Sequence, residues 1–107
     1  MKKGIVTILT IAAATLAQAA DIKAGEEKAV VCVACHGPGG VSISPEWPSL
    51  AGQGQKYLEK QLREFKSGER PNIIMQPQAA LLSDEDIVNI AAYFAAQAPA
   101  PAATEGA

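Results

Sequence analysis

The apolar positions of this 107-residue chain follow a helical period in three segments. The clearest runs from Gln55 to Ser67, where one largely apolar face consists of Tyr57, Leu58, Gln61, Leu62 and Phe65. Gly68 predicts the end of this helix, because glycine readily adopts the left-handed backbone that follows a helix C-terminus. We expect Glu59 to pair with Arg63 one turn later. The opposite face predicts a solvated surface or, alternatively, a docking surface, and it carries Lys56, Lys60 and Arg63.

A second helix is predicted from Ser83 onward. Ser83 and Asp86 have the spacing of a capping box, in which each side chain accepts a hydrogen bond from the backbone N–H of the other residue. The helix should stop before Pro99, since proline supplies no backbone donor. Its predicted buried stripe consists of Ile87, Ile90, Ala91 and Phe94.

The third helical segment runs from Asp21 to Val33, with Asp21 as its N-terminal cap. Gly25 is unfavourable inside a helix, so it indicates either a frayed start or a close crossing by another helix. Glycines and prolines predict loops over 37–54 and 70–82. The second loop nevertheless carries Ile73, Ile74 and Met75, which need a surface to cover. No segment shows the alternation of apolar and polar residues that is typical of a strand.

The N-terminus has the order of a secretory signal peptide. Lys2 and Lys3 precede an uncharged run from Gly4 to Ala17, and small residues follow. The run is shorter than the roughly 20 residues of a membrane-spanning helix. We expect residues 1–20 to be removed by cleavage after about Ala19 or Ala20, which places the protein in the periplasm.

Charge and size restrict the class of protein. Loss of the two N-terminal lysines reduces nine basic residues to seven against eleven acidic ones, a net charge of −4 that does not resemble the basic stripe of a nucleic-acid binder. Residues 21–97 are predicted to form one domain, followed by a disordered Ala/Pro-rich tail at 98–107. So short a domain, with so few large apolar residues, usually needs a cofactor or a crosslink to complete its core.

Candidate chemistry is concentrated in the stretch VCVACHGPGG, which holds Cys32, Cys35 and the sole histidine, His36. A zinc site requires three or four protein ligands, and adjacent residues rarely reach one tetrahedral ion together. A thioredoxin-like disulfide normally opens a helix after a strand, whereas these cysteines close a helix. A cysteine nucleophile is disfavoured because His36 cannot easily face the same substrate. Cys-x-x-Cys-His instead indicates covalent attachment of a c-type haem, with His36 directed at the iron.

A distal iron ligand can be sought by elimination. A second histidine is excluded within the chain, and Met75 is the sole methionine after removal of Met1. Met75 therefore becomes the predicted distal ligand, and a nearby lysine or an open sixth position is the alternative. We expect the chain to be largely unfolded without haem.

Three blocks together resemble class I cytochrome c, in particular the c-553 type and single halves of the dihaem cytochrome c4 type. These blocks are AGEEKAVVCVACHG, PSLAGQGQKYLEKQLREFKSGER and LSDEDIVNIAAYFAAQ. The resemblance implies an all-α fold of three main helices around one haem, with the first and last helices crossing at Gly25 near Tyr93 and Phe94. It also implies that the Pro48 carbonyl accepts a hydrogen bond from His36 and that Met75 binds the iron.

The implied function is one-electron transport in the periplasm, with no catalytic residues and no permanent membrane anchor. The carrier would be a monomer that docks transiently with redox partner proteins. It would take electrons from a quinol-oxidising complex or dehydrogenase and deliver them to an oxidase, peroxidase or reductase. Two alternatives stay open: a cytochrome subunit of a larger oxidoreductase complex, and a haem-based sensor or peroxidase with an open sixth site.

Overall fold

The computed structural model describes residues 3–10 and 19–101. These residues form five α-helices and a 3-10 turn at Pro38–Gly40, and they contain no strand, which confirms the all-α prediction. None of the helices within the described ranges is long and apolar enough to cross a membrane. The helices are α1 (Ile22–Lys28), α2 (Val30–His36), α3 (Gln55–Ser67), α4 (Met75–Ala80) and α5 (Asp84–Ala95).

The first predicted helix is divided into α1 and α2 at Ala29. The Asp21 side chain accepts a hydrogen bond from the backbone of Ala24, so the predicted cap is confirmed. Ala29 has ψ −1°, and its carbonyl accepts from the N–H of Cys32, three residues on, at 2.8 Å. This tighter turn interrupts the regular hydrogen bonding, and α2 then continues to His36, beyond the predicted end at Val33.

Both longer helices follow their predictions. Gly68 ends α3 with φ 86°, and Ser83 and Asp86 form the complete capping box of α5. The predicted stripe of α5 is at most 1% exposed at every position. The core is centred on this helix and comprises Ala29, Leu58, Leu82, Ile87, Ile90, Ala91, Tyr93 and Phe94.

Gly25 lies where α1 crosses α5. A Cβ built at Gly25 would lie 2.0 Å from the carbonyl oxygen of Asn89 and 2.5 Å from its carbonyl carbon. The backbone N–H of Asp21 also donates to the buried side chain of Asn89, at 2.9 Å. The close-crossing interpretation of Gly25 is therefore confirmed.

The predicted loop at 70–82 contains a helix, α4, that the sequence analysis missed. Its prolines suggested an irregular segment, but Pro77 is the third residue of α4. The N–H groups of a first helical turn have no partner within the helix, so proline costs little there. Asn72 supports the start of α4, because its side chain accepts hydrogen bonds from the N–H groups of Ile74 and Met75 at 2.9 and 2.8 Å.

The charged face of α3 is built around Glu59, which is only 3% exposed. The predicted contact with Arg63 is present at 3.4 Å, and Lys56 and Gln55 also approach the same carboxylate. Lys60 pairs separately with Glu64 at 3.7 Å. Each basic residue of this face thus lies within ion-pair distance of a carboxylate, and Lys56 and Arg63 share Glu59.

Both predicted terminal segments lie partly outside the described residues. Within the predicted signal peptide, residues 3–10 have no helix or strand, and residues 11–18 are not described. Within the predicted tail, Pro99 lies against Gly52, where an added Cβ would come within 2.8 Å of the proline ring. Residues 102–107 of the tail are outside the described range.

Candidate functional site

Helix α2 brings Cys32, Cys35 and His36 to the wall of one cavity. The cysteines are half-buried, their sulfurs are not joined in a disulfide, and His36 is 7% exposed. Spacings of three and four residues place side chains on neighbouring turns of one helix face. Burial raises the pKa of the Cys32 thiol, and repulsion from Cys35 raises it further, which favours the neutral thiol over the thiolate.

A glycine-rich turn folds the following loop back over His36. Gly37 ends α2 with φ 83°, and a Cβ there would lie 1.9 Å from the carbonyl oxygen of Val41. Only glycine fits this close approach. The loop then runs to Pro48, whose carbonyl oxygen lies 2.7 Å from Nδ1 of His36.

The hydrogen bond to Pro48 defines the state of the imidazole. A carbonyl oxygen can only accept, so Nδ1 of His36 carries the proton and donates it to Pro48. In the neutral ring, the remaining nitrogen, Nε2, then has a free lone pair. Histidines that bind metals are commonly oriented by a hydrogen bond of this kind from the other nitrogen.

Met75 reaches the same cavity from a different element. It is the first residue of α4, is partly buried, and has its backbone N–H held by Asn72. The sequence patterns did not indicate this role for Asn72. An Asn shortly before a helix is the signal for such a turn, because its side-chain oxygen can accept hydrogen bonds from the backbone N–H groups two and three residues later.

The cavity has a volume of about 340 Å³, within the range of ligand and cofactor pockets. Every residue of the predicted apolar face of α3 lines it, as do Ile90, Ala91 and Phe94 of α5. Trp47, Pro48 and Leu50 of the loop and Ile74 beside Met75 complete the apolar wall. The apolar residues of the second predicted loop are therefore partly explained, since Ile74 covers the cavity, whereas Ile73 is 91% exposed.

The donors of this cavity fit haem c and fit the other candidate chemistries poorly. The wall offers two thiols, one imidazole with a free Nε2 and one thioether, all facing a largely apolar space. No group of three or more His, Cys, Asp and Glu residues suitable for a metal ion occurs in the described ranges. A flat apolar macrocycle with a central iron can use all four donors, whereas a zinc ion cannot.

Comparison with known proteins identifies the family. The model of the family described as "Cytochrome C oxidase, cbb3-type, subunit III" matches residues 17–94, most of the chain. The protein belongs to the class I c-type cytochromes. Membership of this family implies covalently bound haem c with its iron.

Two related proteins show how far this similarity extends. Cytochrome c4 of Azotobacter vinelandii is 42% identical over 98% of this chain but only 55% of its own length. Cytochrome c-554(548) of Halomonas halodenitrificans is 45% identical over 74% of this chain and 99% of its own length. The chain thus spans about half the length of the cytochromes c4 that it matches and nearly the whole of a smaller cytochrome.

A solved structure shows the same fold. Reduced recombinant cytochrome c4 from Pseudomonas stutzeri superposes with a TM-score of 0.71 and 44% sequence identity. The superposition covers 75% of this chain and 47% of that structure. The predicted class I cytochrome c fold is confirmed.

Proposed function

We propose that the chain binds one haem, attached through Cys32 and Cys35 and ligated by His36 and Met75. The observation that carries this proposal is the hydrogen bond from Nδ1 of His36 to Pro48, at 2.7 Å. It leaves Nε2 as the lone-pair donor on a cavity wall that Met75 also lines. Each thiol would add across a vinyl group, the sulfur bonding to one carbon and the proton going to the other, so attachment needs no oxidant.

The residues around the site support an electron carrier. Haem c supplies one-electron redox chemistry at its iron, and the chain would supply both axial ligands. The carbonyl of Pro48 makes the imidazole of His36 a stronger donor. Methionine ligation and an apolar wall favour the reduced iron and raise the potential. With both positions filled, a substrate has no place to bind the iron, and we infer that the chain is not itself an enzyme.

We further propose that residues 1–20 are a cleaved signal peptide and that residues 21–97 form the periplasmic cytochrome domain. Asp21 supports the first boundary, because it caps α1 and its backbone N–H donates to buried Asn89. The carrier would dock transiently with its partners, taking electrons from a quinol-oxidising complex or dehydrogenase. It would deliver them to an oxidase, peroxidase or reductase.

A second candidate function is that of a subunit in a larger oxidoreductase. The description of the matched family, an oxidase subunit, favours it. Size-exclusion chromatography of the protein purified from its native periplasm separates the two. A monomer that reduces more than one acceptor is expected of a free carrier, and a stable complex indicates a subunit.

The cofactor assignment is tested by replacing both cysteines. We expect Cys32→Ala/Cys35→Ala to lose all covalently bound haem on denaturing gels stained for haem, while each single variant keeps one thioether bond. Covalent haem in the double variant would contradict the assignment. Rapid carbon monoxide binding to the reduced wild-type protein at neutral pH would contradict a filled sixth position and favour a sensor or peroxidase.

A further inference from the structure

Arg70 lies on the cavity wall just after the end of α3, five residues before Met75. It is the one lysine or arginine among the cavity-lining residues of the described chain. The haem proposed for this cavity carries two propionate carboxylates, and the proposed ligands use neither. We propose that the Arg70 guanidinium binds one haem propionate and stabilises its ionised form, an inference that rests on the proposed function.

The Arg70 side chain is exposed, but contacts within the protein position it. Its guanidinium carbon lies 4.5 Å from the centre of the Phe65 ring, and Nη1 donates to Oε1 of Gln61 at 2.5 Å. Its backbone N–H donates to the carbonyl of Glu64 at 3.1 Å. Phe65 and Gln61 themselves line the cavity, so the guanidinium is held at the edge of the haem site.

Among the described residues, no carboxylate lies within ion-pair distance of Arg70. The ion pairs found in the described residues are Lys28 with Asp86, Lys60 with Glu64, and Lys56 and Arg63 with Glu59. The two arginines therefore differ, because Arg63 pairs with the carboxylate of Glu59, whereas the Arg70 guanidinium donates to the neutral side-chain amide of Gln61. A guanidinium has five N–H donors arranged to match a carboxylate, so Arg70 keeps donors for an anionic group.

Other titratable groups face the same cavity and must be separated from the propionate. Glu46 comes from the loop after α2, Tyr57 from α3 and His36 from α2. Glu46 is the one carboxyl among the described residues that line the cavity, so it is the protein group that must be distinguished from a propionate.

The test measures the reduction potential of the holo-protein against pH in wild type, Arg70→Gln, Arg70→Lys and two controls. Lys60→Gln removes an equal charge outside the cavity, and Glu46→Gln removes the competing carboxyl. In Arg70→Gln we expect a lower potential, because the lost cation favoured the reduced iron. At acid pH, ionisation of the propionate should make the potential fall as the pH rises. We expect this pH range, the acid region, to move upward by about one pH unit or more in Arg70→Gln. Arg70→Lys should give a smaller upward shift, since an ammonium keeps the charge but lacks the paired N–H donors with which a guanidinium matches a carboxylate.

Each outcome decides the inference. Lys60→Gln and Glu46→Gln should keep the wild-type acid region; its disappearance in Glu46→Gln would overturn the assignment to a propionate. Equal profiles for Arg70→Gln and Lys60→Gln would also overturn it. If Arg70→Gln does not accumulate with haem, an unchanged profile in Arg70→Lys overturns it. Normal covalent haem and an unchanged spectrum in all variants separate failure of this inference from failure of the proposed function.

Discussion

Substitution of Gly25 by alanine tests the helix crossing on which the fold depends. Helix propensity alone predicts that Gly25→Ala stabilises the protein by about 1 kcal/mol. The structure predicts the opposite, because the new Cβ would lie 2.0 Å from the Asn89 carbonyl oxygen. Even a 3.0 Å contact requires α1 and α5 to separate by about 1 Å, the difference between the two distances.

The cost of that separation can be estimated. A radial gap of about 0.5–1 Å removes a quarter to a half of the dispersion energy of each contact along the crossing. Overpacking of this kind costs about 1–3 kcal/mol. Taking the upper value, because the clash is with backbone, and subtracting the propensity gain leaves about 2 kcal/mol of destabilisation. For a domain of this size, that lowers Tm by roughly 8–16 °C.

The assay is thermal unfolding of the holo-protein followed by far-ultraviolet circular dichroism. Gly54→Ala is the matched control, because Gly54 has φ −60° and the nearest atom to an added Cβ is 3.9 Å away. We expect the control to change Tm by a few degrees at most. A Gly25→Ala protein as stable as wild type, or more stable, would contradict a tight crossing of α1 and α5 at this position.

Three further predictions concern acid stability, the cofactor and the distal loop. Hydrogen bonding to the Ser83 backbone holds the pKa of Asp86 below its usual range. Ionised Asp86 therefore stabilises the fold at pH values above its pKa in the unfolded chain, and this stabilisation is lost as the pH falls through its pKa in the folded protein. Asp86→Ala should therefore destabilise the protein by about 1 kcal/mol at neutral pH. The difference in stability between this variant and wild type should narrow as the pH is lowered in denaturation experiments, and the control Asp84→Ala should have a smaller effect. The chain expressed without haem should be largely unfolded by circular dichroism, and a helical apo-protein with a cooperative melt would count against this. Asn72→Ala removes the hydrogen bond that holds the backbone N–H of Met75, which we expect to weaken the distal loop by about 1 kcal/mol. Cyanide should then bind the oxidised variant roughly fivefold more tightly than it binds wild type. Asn72→Asp keeps the acceptor, so equal cyanide affinities for the two variants would argue against this prediction.

The parts of the fold that were predictable from sequence are those set by local patterns. The apolar periods of α3 and α5, the stop at Gly68 and the Ser83 cap depend on neighbouring residues, and all four are present. Gly25 was ambiguous, because a close crossing depends on residues far away in the chain.

Other features depended on tertiary context. Helix α4 was missed because proline was interpreted as a breaker, although Pro77 stands in a first turn supported by Asn72. The burial of Glu59 was also not predictable, since it requires three polar neighbours to surround one carboxylate. At the site, the Cys-x-x-Cys-His motif indicated Cys32, Cys35 and His36 from neighbouring residues alone. The structure shows that Met75, far away in the sequence, lines the same cavity.

In the proposed site, His36 and Met75 occupy the two axial positions of one haem. Near-infrared absorption of the oxidised protein tests it most directly, because sulfur ligation gives a weak sulfur-to-iron band there. We predict that wild type shows this band and that Met75→Leu loses it while keeping covalent haem. Absence of the band in wild type at neutral pH, or its persistence in Met75→Leu, would contradict ligation of the iron by Met75.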